Sequence, residues 1–576
     1  MQVEKGLEFL AVYDKSSIYK PRIVYYNYSI QEVDVMAIYR DRLVDVPNHT
    51  YRQLNKKSGI EYVYIYTEYF RNESGKSRNR SKAIGVYEPE SKKMYPNDNY
   101  FAIVDVPMER IEGDVKNVGF AAVTQACFEE LGIMKILCDV FGERAAKLIR
   151  SICAYIVKEG CVMSYIDDFT EKEFFSNVNE IVTSQMTSEI FGRITQSQMN
   201  EIYKRWIPEA AEGYLCYDVT SVSTYSSMTS EAEYGYNRDH DNLPQMNLGL
   251  FTSEKTSYPV YMVNYNGSTN DMSNVVYACR NARAAGLKGD FLAVLDGGFF
   301  YQKKLDELCA EGITFVVGMP MYLDSSKRYV DSYGNELYTA EHLLGYSGTY
   351  GTVIENQEVL GIRGRVLIGL CAEAREMLND DLTAKIIRYE REMNQIAKYD
   401  TVINKKKYTG LFDIDRSADG SGFTYRLNRE KEIAARKYFG YFTIFTTDKN
   451  ATANDIITYY RDKDLDEKMF YDMKVYMNGR RARTHKQSTF DGKYFIVFIA
   501  LILRTWLKKK LGAYKKSHHL TLKRCLMKLS DVRIYQDESS VRYLKSVTAE
   551  QRELLRLCGV DAEQLEQVCC SELQSL

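Results

Sequence analysis

Tryptophan is almost missing from this chain, with two residues against 47 tyrosines in 576 positions. Tyrosine suits strand surfaces and polar interfaces, but the count alone names no ligand. The twelve cysteines include no C-x-x-C spacing, which excludes the usual signatures of a zinc knuckle and a redox dithiol. Excess charge is missing too. The net value is −2, so the molecule as a whole is no basic nucleic-acid binder, and any phosphate-binding surface must be local. The longest apolar run, YFIVFIALIL at 494–503, is about half of what a bilayer span requires. It reads as a buried helix or strand, and no membrane association is expected. Without a secretory leader, the scattered cysteines are expected to be reduced core residues of a soluble cytoplasmic protein.

What is present is an ordinary globular composition, 45% hydrophobic and 27% charged, in a chain long enough for two to four domains. Residues 1–116 read as a β-rich region, with GIEYVYIYTEYF at 59–70 followed by a basic, glycine-containing loop at 71–83. Such an arm is a candidate for contact with DNA phosphates. Over 117–210 the apolar spacing changes to three and four residues, predicting a helical domain or bridge. Strand-like runs then mix with helices over 211–320, an irregular and charged segment covers 321–436, and GYFTIFTT at 440–447 opens a second core part over 437–510. A basic and helical tail occupies 511–576. This alternation predicts an α/β core with a partly antiparallel sheet.

Three acids stand out against that frame. Asp218 interrupts the apolar strand GYLCYDVTSVSTYS, and Asp296 closes the strand of FLAVLDGGFF. A carboxylate in or beside such a strand must be paired or ligate a cation, because an isolated buried charge is expensive. Glu467 supplies the third acid, on a helix expected to begin at Asp448 or Asn450. In that helix Tyr460, Glu467 and Lys474 are seven apart and fall within about 40° of one another. Lys463 lies about 60° from Tyr460, Asp464 shares the face, and Asp466 is about 120° off it. Three hard oxygen ligands suit Mg²⁺ or Mn²⁺ and suit zinc poorly. Taken singly, each acid is equally compatible with a turn or a salt bridge.

The order of these elements resembles a DDE transposase of a bacterial insertion sequence, in the "insertion sequence four" superfamily. That group carries tyrosine, two residues, arginine, three residues, glutamate, six residues, lysine. Tyr460, Lys463, Glu467 and Lys474 stand in that register, with lysine replacing arginine. Asp296, Gly298 and Phe299 resemble the family's aspartate-x-glycine-aromatic element. YGYNRDHDNLPQ, with Arg238, Asp239 and His240, resembles its element between the first two acids, and GYFTIFTTD resembles its strand before the catalytic helix. The resemblance implies an RNase H-like mixed sheet flanked by helices, interrupted by an insertion placed at 321–436. It implies Asp218, Asp296 and Glu467 as catalytic residues and ligands of two Mg²⁺ ions, with Mn²⁺ able to substitute. Tyr460, Lys463, Lys474, Arg238 and His240 would contact substrate. The implied partners are double-stranded DNA, both transposon ends and target, and a second copy of the chain in the DNA complex. The implied location is the bacterial cytoplasm, at the nucleoid. Arg461 is a candidate to compensate for the lysine at 463, and the late basic residues, from Lys474, Arg480 and Arg481 through Lys493 and Arg504 to Lys528, form a candidate phosphate track. A metal-dependent nuclease without strand transfer and a non-catalytic DNA-binding relic are the rival readings.

Overall fold

A computed structural model describes residues 43–565, except 57, 72–76, 105–113, 176–177, 179, 236–238, 240, 270, 288–291, 399–402, 417–421 and 537–541. Arg238 and His240, and residues 72–76 of the basic loop, therefore lie outside the described residues. The chain forms two compact units. One takes in the described parts of Ile23–Leu131, Ile166–Val182 and Leu507–Leu576; the other contains Gly132–Tyr165 and Thr183–Trp506.

The first unit holds the N-terminal β region as an antiparallel sheet of five strands. Their spatial order is Val44–Asp45, Lys93–Pro96, Ser77–Glu88, Glu61–Arg71, Thr50–Leu54. Alternate positions Val63 and Ile65 turn to one side and pack with Ile84, Met94 and Tyr100, the two-residue period of a half-buried sheet. A smaller sheet joins Asp114–Asn117 to Arg533–Gln536, which pairs in turn with Arg542–Leu544. The C-terminal tail thus contributes strands as well as the expected helices.

In the other unit lies the central sheet, built from β1 (Leu215–Ser223), β2 (Gln245–Ser253), β3 (Pro259–Asn266), β4 (Leu292–Leu295), β5 (Thr314–Met319), β6 (Thr349–Val359), β7 (Ile362–Cys371) and β8 (Tyr441–Thr446). Its order is β6-β7-β8-β5-β4-β1-β2-β3. Strands β1, β2 and β3 run antiparallel, whereas β4 and β5 are parallel to β1. The parallel steps need helical crossovers, supplied by α1 (Asp271–Ala284) before β4 and α2 (Gln302–Ala310) before β5. The sheet is mixed and flanked by helices, as expected. Within the segment that interrupts the core, β6 and β7 extend the central sheet. The remainder folds the long helix Ala372–Lys398 against the hairpin Phe412–Arg416 and Phe423–Leu427, around Leu382, Ile386, Met393, Tyr408 and Phe412.

After β8 the chain forms α3 (Ala453–Asp462) and α4 (Asp464–Tyr471), then a π-helical turn over Asp472–Tyr476. The start of α3 differs from the sequence expectation. Thr452 is the N-cap, its hydroxyl accepting from the Asp455 amide at 3.2 Å while the Asp455 carboxylate accepts from the Thr452 amide at 2.8 Å. This reciprocal capping box satisfies two otherwise unpaired donors. Asp448 instead closes the preceding turn by accepting from the Asn450 amide at 2.8 Å. Ile456, Ile457 and Tyr460 form the buried face of α3 against Val316, Leu367 and Ile444 of the sheet. YFIVFIALIL lies within α5 (Gln487–Lys510) and is buried throughout, the pattern of a helix enclosed on all sides.

Two close packings fix this region. Gly318 of β5 lies directly beneath the Tyr460 ring, where an added Cβ would collide with the ring and hydroxyl. Asp472, in the π turn, meets Arg504 of α5 at 3.0 Å, both almost fully buried. Gly318→Ala is expected to cost about 1–3 kcal/mol through overpacking. The loss should shrink in a Tyr460→Ala background, where the obstructing ring is gone, and the coupling is read from urea midpoints in a double-mutant cycle. Arg504→Met, which strands Asp472 without its cation, should cost on the order of 3–5 kcal/mol. Adding Asp472→Leu should restore most of that loss, because a well-packed apolar pair can replace a buried ion pair.

Candidate active site

Each motif acid reaches the site from a different element. Asp218 lies midway along β1, opposite Leu250 of β2, and is partly buried. Asp296 directly follows β4, where it caps a 3-10 turn over Gly297–Phe299 and accepts from the Gly297 amide at 2.8 Å. Glu467 belongs to α4, which packs across β1 and β2. Sequence distance is large, but the parallel register of β4 on β1, with Ala293 beside Leu215 and Val294 beside Cys216, brings the end of β4 alongside the middle of β1.

The residues at Tyr460 and Lys463 converge on Asp296. The Lys463 ammonium lies 2.8 Å from Asp296 Oδ1 and 3.7 Å from Glu467 Oε1, bridging the two acids. The Tyr460 hydroxyl donates to the same Asp296 oxygen at 3.3 Å. Burial alone would raise the Asp296 carboxyl, but Lys463, the Gly297 amide and Tyr460 outweigh it and hold the carboxyl below its ordinary range. Burial pulls the Lys463 ammonium down, yet Tyr460, Asp296 and Glu467 hold it above its usual value. Burial pushes the Tyr460 phenol up to about 12, so it remains a donor at neutral pH.

Among the competing acids, Asp464 turns to Lys468 at 2.6 Å on the exposed side. Asp466 departs from the expected geometry. It is fully buried, beside Thr252 of β2 and close to Asp218, Glu467 and Lys463. Burial, then the neighbouring acids Asp218 and Glu467, push its carboxyl well above the ordinary range and favour the neutral acid. The reason for the discrepancy is local. The helix is not continuous: α3 ends at Asp462, and the Asp466 amide bonds the Lys463 carbonyl at 3.1 Å. A three-residue step of this kind changes the phase of every later side chain.

A second break re-aims Lys474. It lies in the π turn, its side chain is 9% exposed, and its ammonium meets Asp239 at 2.9 Å. Arg480 approaches the other Asp239 oxygen at 3.9 Å, and Arg481 pairs with Asp241. The stretch around Asp239 is thus tied to the segment after the π turn, and Asp241 was not singled out from sequence. Lys474 is held by Asp239 and Glu467 by Lys463, where a continuous helix would set the two residues on a single face. Arg461 cannot stand in for the missing arginine. It stacks over Tyr346 at 3.9 Å and donates to Thr349 at 2.9 Å, about 200° around the helix from position 463.

The candidate phosphate track is also thinner than expected. Lys493 is 1% exposed and donates to the Ala482 carbonyl at 2.7 Å, while Arg504 holds Asp472. Both serve the interior, because α5 is buried from Gly492 through Leu507. Arg480 and Arg483 remain exposed.

The donors suit a hard divalent cation by their chemistry: Asp218, Asp296 and Glu467 are all carboxylates, and Glu467 Oε2 is buried without a hydrogen-bond partner. Their arrangement is not that of a closed metal cluster, since among the described residues no three His, Cys, Asp or Glu side chains form such a group. The expected convergence of the three acids is therefore incomplete. Asp296 is drawn to an ammonium instead, and like-charged carboxylates have no reason to approach further without a cation between them.

No curated protein matches the sequence. A solved piggyBac transposase synaptic complex with hairpin DNA aligns at 9% identity and a TM-score of 0.30, covering 75% of this chain and 72% of that one; a similarity at that level carries no argument. The family described as the transposase DDE domain matches residues 210–503, a span that contains β1 to β8, α3, α4 and every acid discussed above. More than half of the chain lies within that match, and the chain belongs to the DDE transposase family.

Proposed function

We propose that this chain is the transposase of a bacterial insertion sequence of the "insertion sequence four" type. It binds the terminal inverted repeats of its element as double-stranded DNA, hydrolyses phosphodiesters at the ends, and joins the freed 3′-hydroxyls to target DNA. The observation that carries this reading is the meeting of Tyr460 and Lys463 with Asp296, and of Lys463 with Glu467, within a chain of the DDE transposase family. Asp218, Asp296 and Glu467 are the residues that would hold two Mg²⁺ or Mn²⁺ ions, which supply an activated nucleophile and stabilise the leaving oxygen.

The chain's own groups do the remaining work. Tyr460 and the Gly297 amide orient Asp296 from two sides. Lys463 contributes a positive charge for a DNA phosphate, without the planar fork an arginine would offer. Lys474 and Arg480, paired with Asp239, are further cations for the DNA backbone. Arg238 and His240 belong to the same segment and are proposed substrate contacts. The working form is a homodimer on DNA, in the bacterial cytoplasm at the nucleoid. No helix among the described residues is long and apolar enough to cross a membrane.

Incubation of the protein with DNA carrying the element's flanking repeats tests this reading. Mg²⁺ or Mn²⁺ should support cutting and yield joined products, whereas Ca²⁺ should support binding without cutting, because its looser coordination does not align the attack. Cutting without joined products would favour the nuclease. Binding without any metal-dependent cutting would favour the relic.

Glu467→Gln should abolish cleavage with folding intact, whereas Asp464→Asn should leave it within about twofold, as for surface changes that disturb no buried contact. Loss of cleavage in Asp464→Asn alone would reverse the assignment. Asp296→Asn should retain end binding, which should weaken steeply with salt through counterion release. Lys463→Arg should preserve or raise cleavage and Lys463→Ala should lower it; equal rates would remove the lysine from the chemistry.

A further inference from the structure

Lys463 does something in this structure that a phosphate contact does not explain. Its ammonium already has two anions, Asp296 at 2.8 Å and Glu467 at 3.7 Å. Its ring neighbour Tyr460 lies 5.4 Å away and adds the attraction of an aromatic face. Glu467 presents Oε1 to the lysine and keeps Oε2 buried and unpaired. The cation therefore compensates the same carboxylates that the proposed reaction assigns to metal.

The two kinds of cation exclude one another. Mg²⁺ requires carboxylate oxygens at about 2.0–2.1 Å in near-octahedral order, and Asp296 Oδ1 is already occupied by an ammonium. Two positive charges held close together on shared ligands repel strongly in a partly desolvated site. The residue type suits displacement. A lysine carries a compact charge on a flexible four-carbon stem, whereas an arginine would grip a carboxylate with two parallel donors. The break in the helix at Lys463 sets the start of that stem between α3 and α4, beside the acids.

We propose that Lys463 is a displaceable internal counter-ion: it neutralises Asp296 and Glu467 until a divalent cation takes them, and the released ammonium then meets a DNA phosphate. This inference rests on the reading of Asp296 and Glu467 as metal ligands. Metal and DNA then assist one another, since DNA supplies the anion that Lys463 leaves for, and such coupling is reciprocal. No bond is made or broken in the exchange. A neutral side chain at 463 should remove the competition and with it the assistance from DNA.

Mn²⁺ binding to the full chain, followed by the electron paramagnetic resonance of the free ion, tests this without any reading of activity. In the absence of DNA, Lys463→Met should bind Mn²⁺ roughly tenfold more tightly than the native protein, within the usual range of coupling between sites. Lys463→Gln, which keeps a polar side chain, should show the same gain and covers the case in which methionine impairs folding. A short mixed-sequence DNA duplex should tighten Mn²⁺ binding to the native protein and have a clearly smaller effect in both variants. Asp296→Asn should weaken binding in every background. Unchanged or weaker affinity in Lys463→Met and Lys463→Gln, with Asp296→Asn still impaired, overturns the counter-ion role alone. An equal effect of DNA on native and variant proteins overturns the transfer to phosphate. If Asp296→Asn binds Mn²⁺ as the native protein does, the metal-site reading fails, and this inference with it.

Discussion

Negative charge set against a buried sheet is the constraint on which the site depends. Asp218 interrupts β1, Asp296 ends β4, and α4 carries Asp466 and Glu467 across β1 and β2. Four carboxyl groups so placed cannot all ionise beside one another without compensation. The chain meets that requirement in two ways. Asp466 is pushed toward the neutral acid by burial and by its acidic neighbours, and Lys463 bridges Asp296 and Glu467. The apolar packing around the site is ordinary by comparison; the electrostatics decide which side chains face which way.

Placing that lysine requires the backbone to leave regular helix. An unbroken helix from 453 to 476 would carry Asp466 away from the motif face and set Lys474 in line with Glu467. Instead the chain pauses at Lys463, and a π-helical turn follows at Asp472–Tyr476. Such turns insert a residue into the ladder and rotate what comes after. The first break brings Asp466 onto β1 and β2, and the second sends Lys474 to Asp239. The buried pair of Asp472 and Arg504 anchors the second break to α5, a role for arginine that leaves no charge at the surface.

Close approach is the other condition. Tyr460 can lie over β5 because residue 318 is glycine, and its hydroxyl then reaches Asp296. The lone glycine of TFVVGM would weaken a strand with no tertiary reason for it; under an aromatic ring it is the residue that fits. Family membership, fold and site therefore bear on one another through contacts of a few named side chains. A fold of this kind serves many activities, and the chemistry resides in the site it carries.

Much of this was legible in the residues themselves. Strand-like runs over 211–320 and GYFTIFTT marked β1 to β5 and β8, and the change to helical spacing marked the segments after 117, because those periods are local properties of the backbone. The spacing of Tyr460, Lys463 and Glu467 likewise expressed a real juxtaposition, since two of those three meet Asp296 within the reach of one helical turn. The sequence did not reveal that Thr452 rather than Asp448 caps α3, that β6 and β7 join the central sheet, or that Lys493 and Arg504 are interior. Nor did it reveal that Asp466 faces the sheet. Composition and pattern by themselves determined which segments fold as strand or helix, and which acids are candidates for the chemistry. Only the tertiary structure decided where those acids point, because burial, a partner's charge and two interruptions of a helix act between residues that sequence distance keeps far apart.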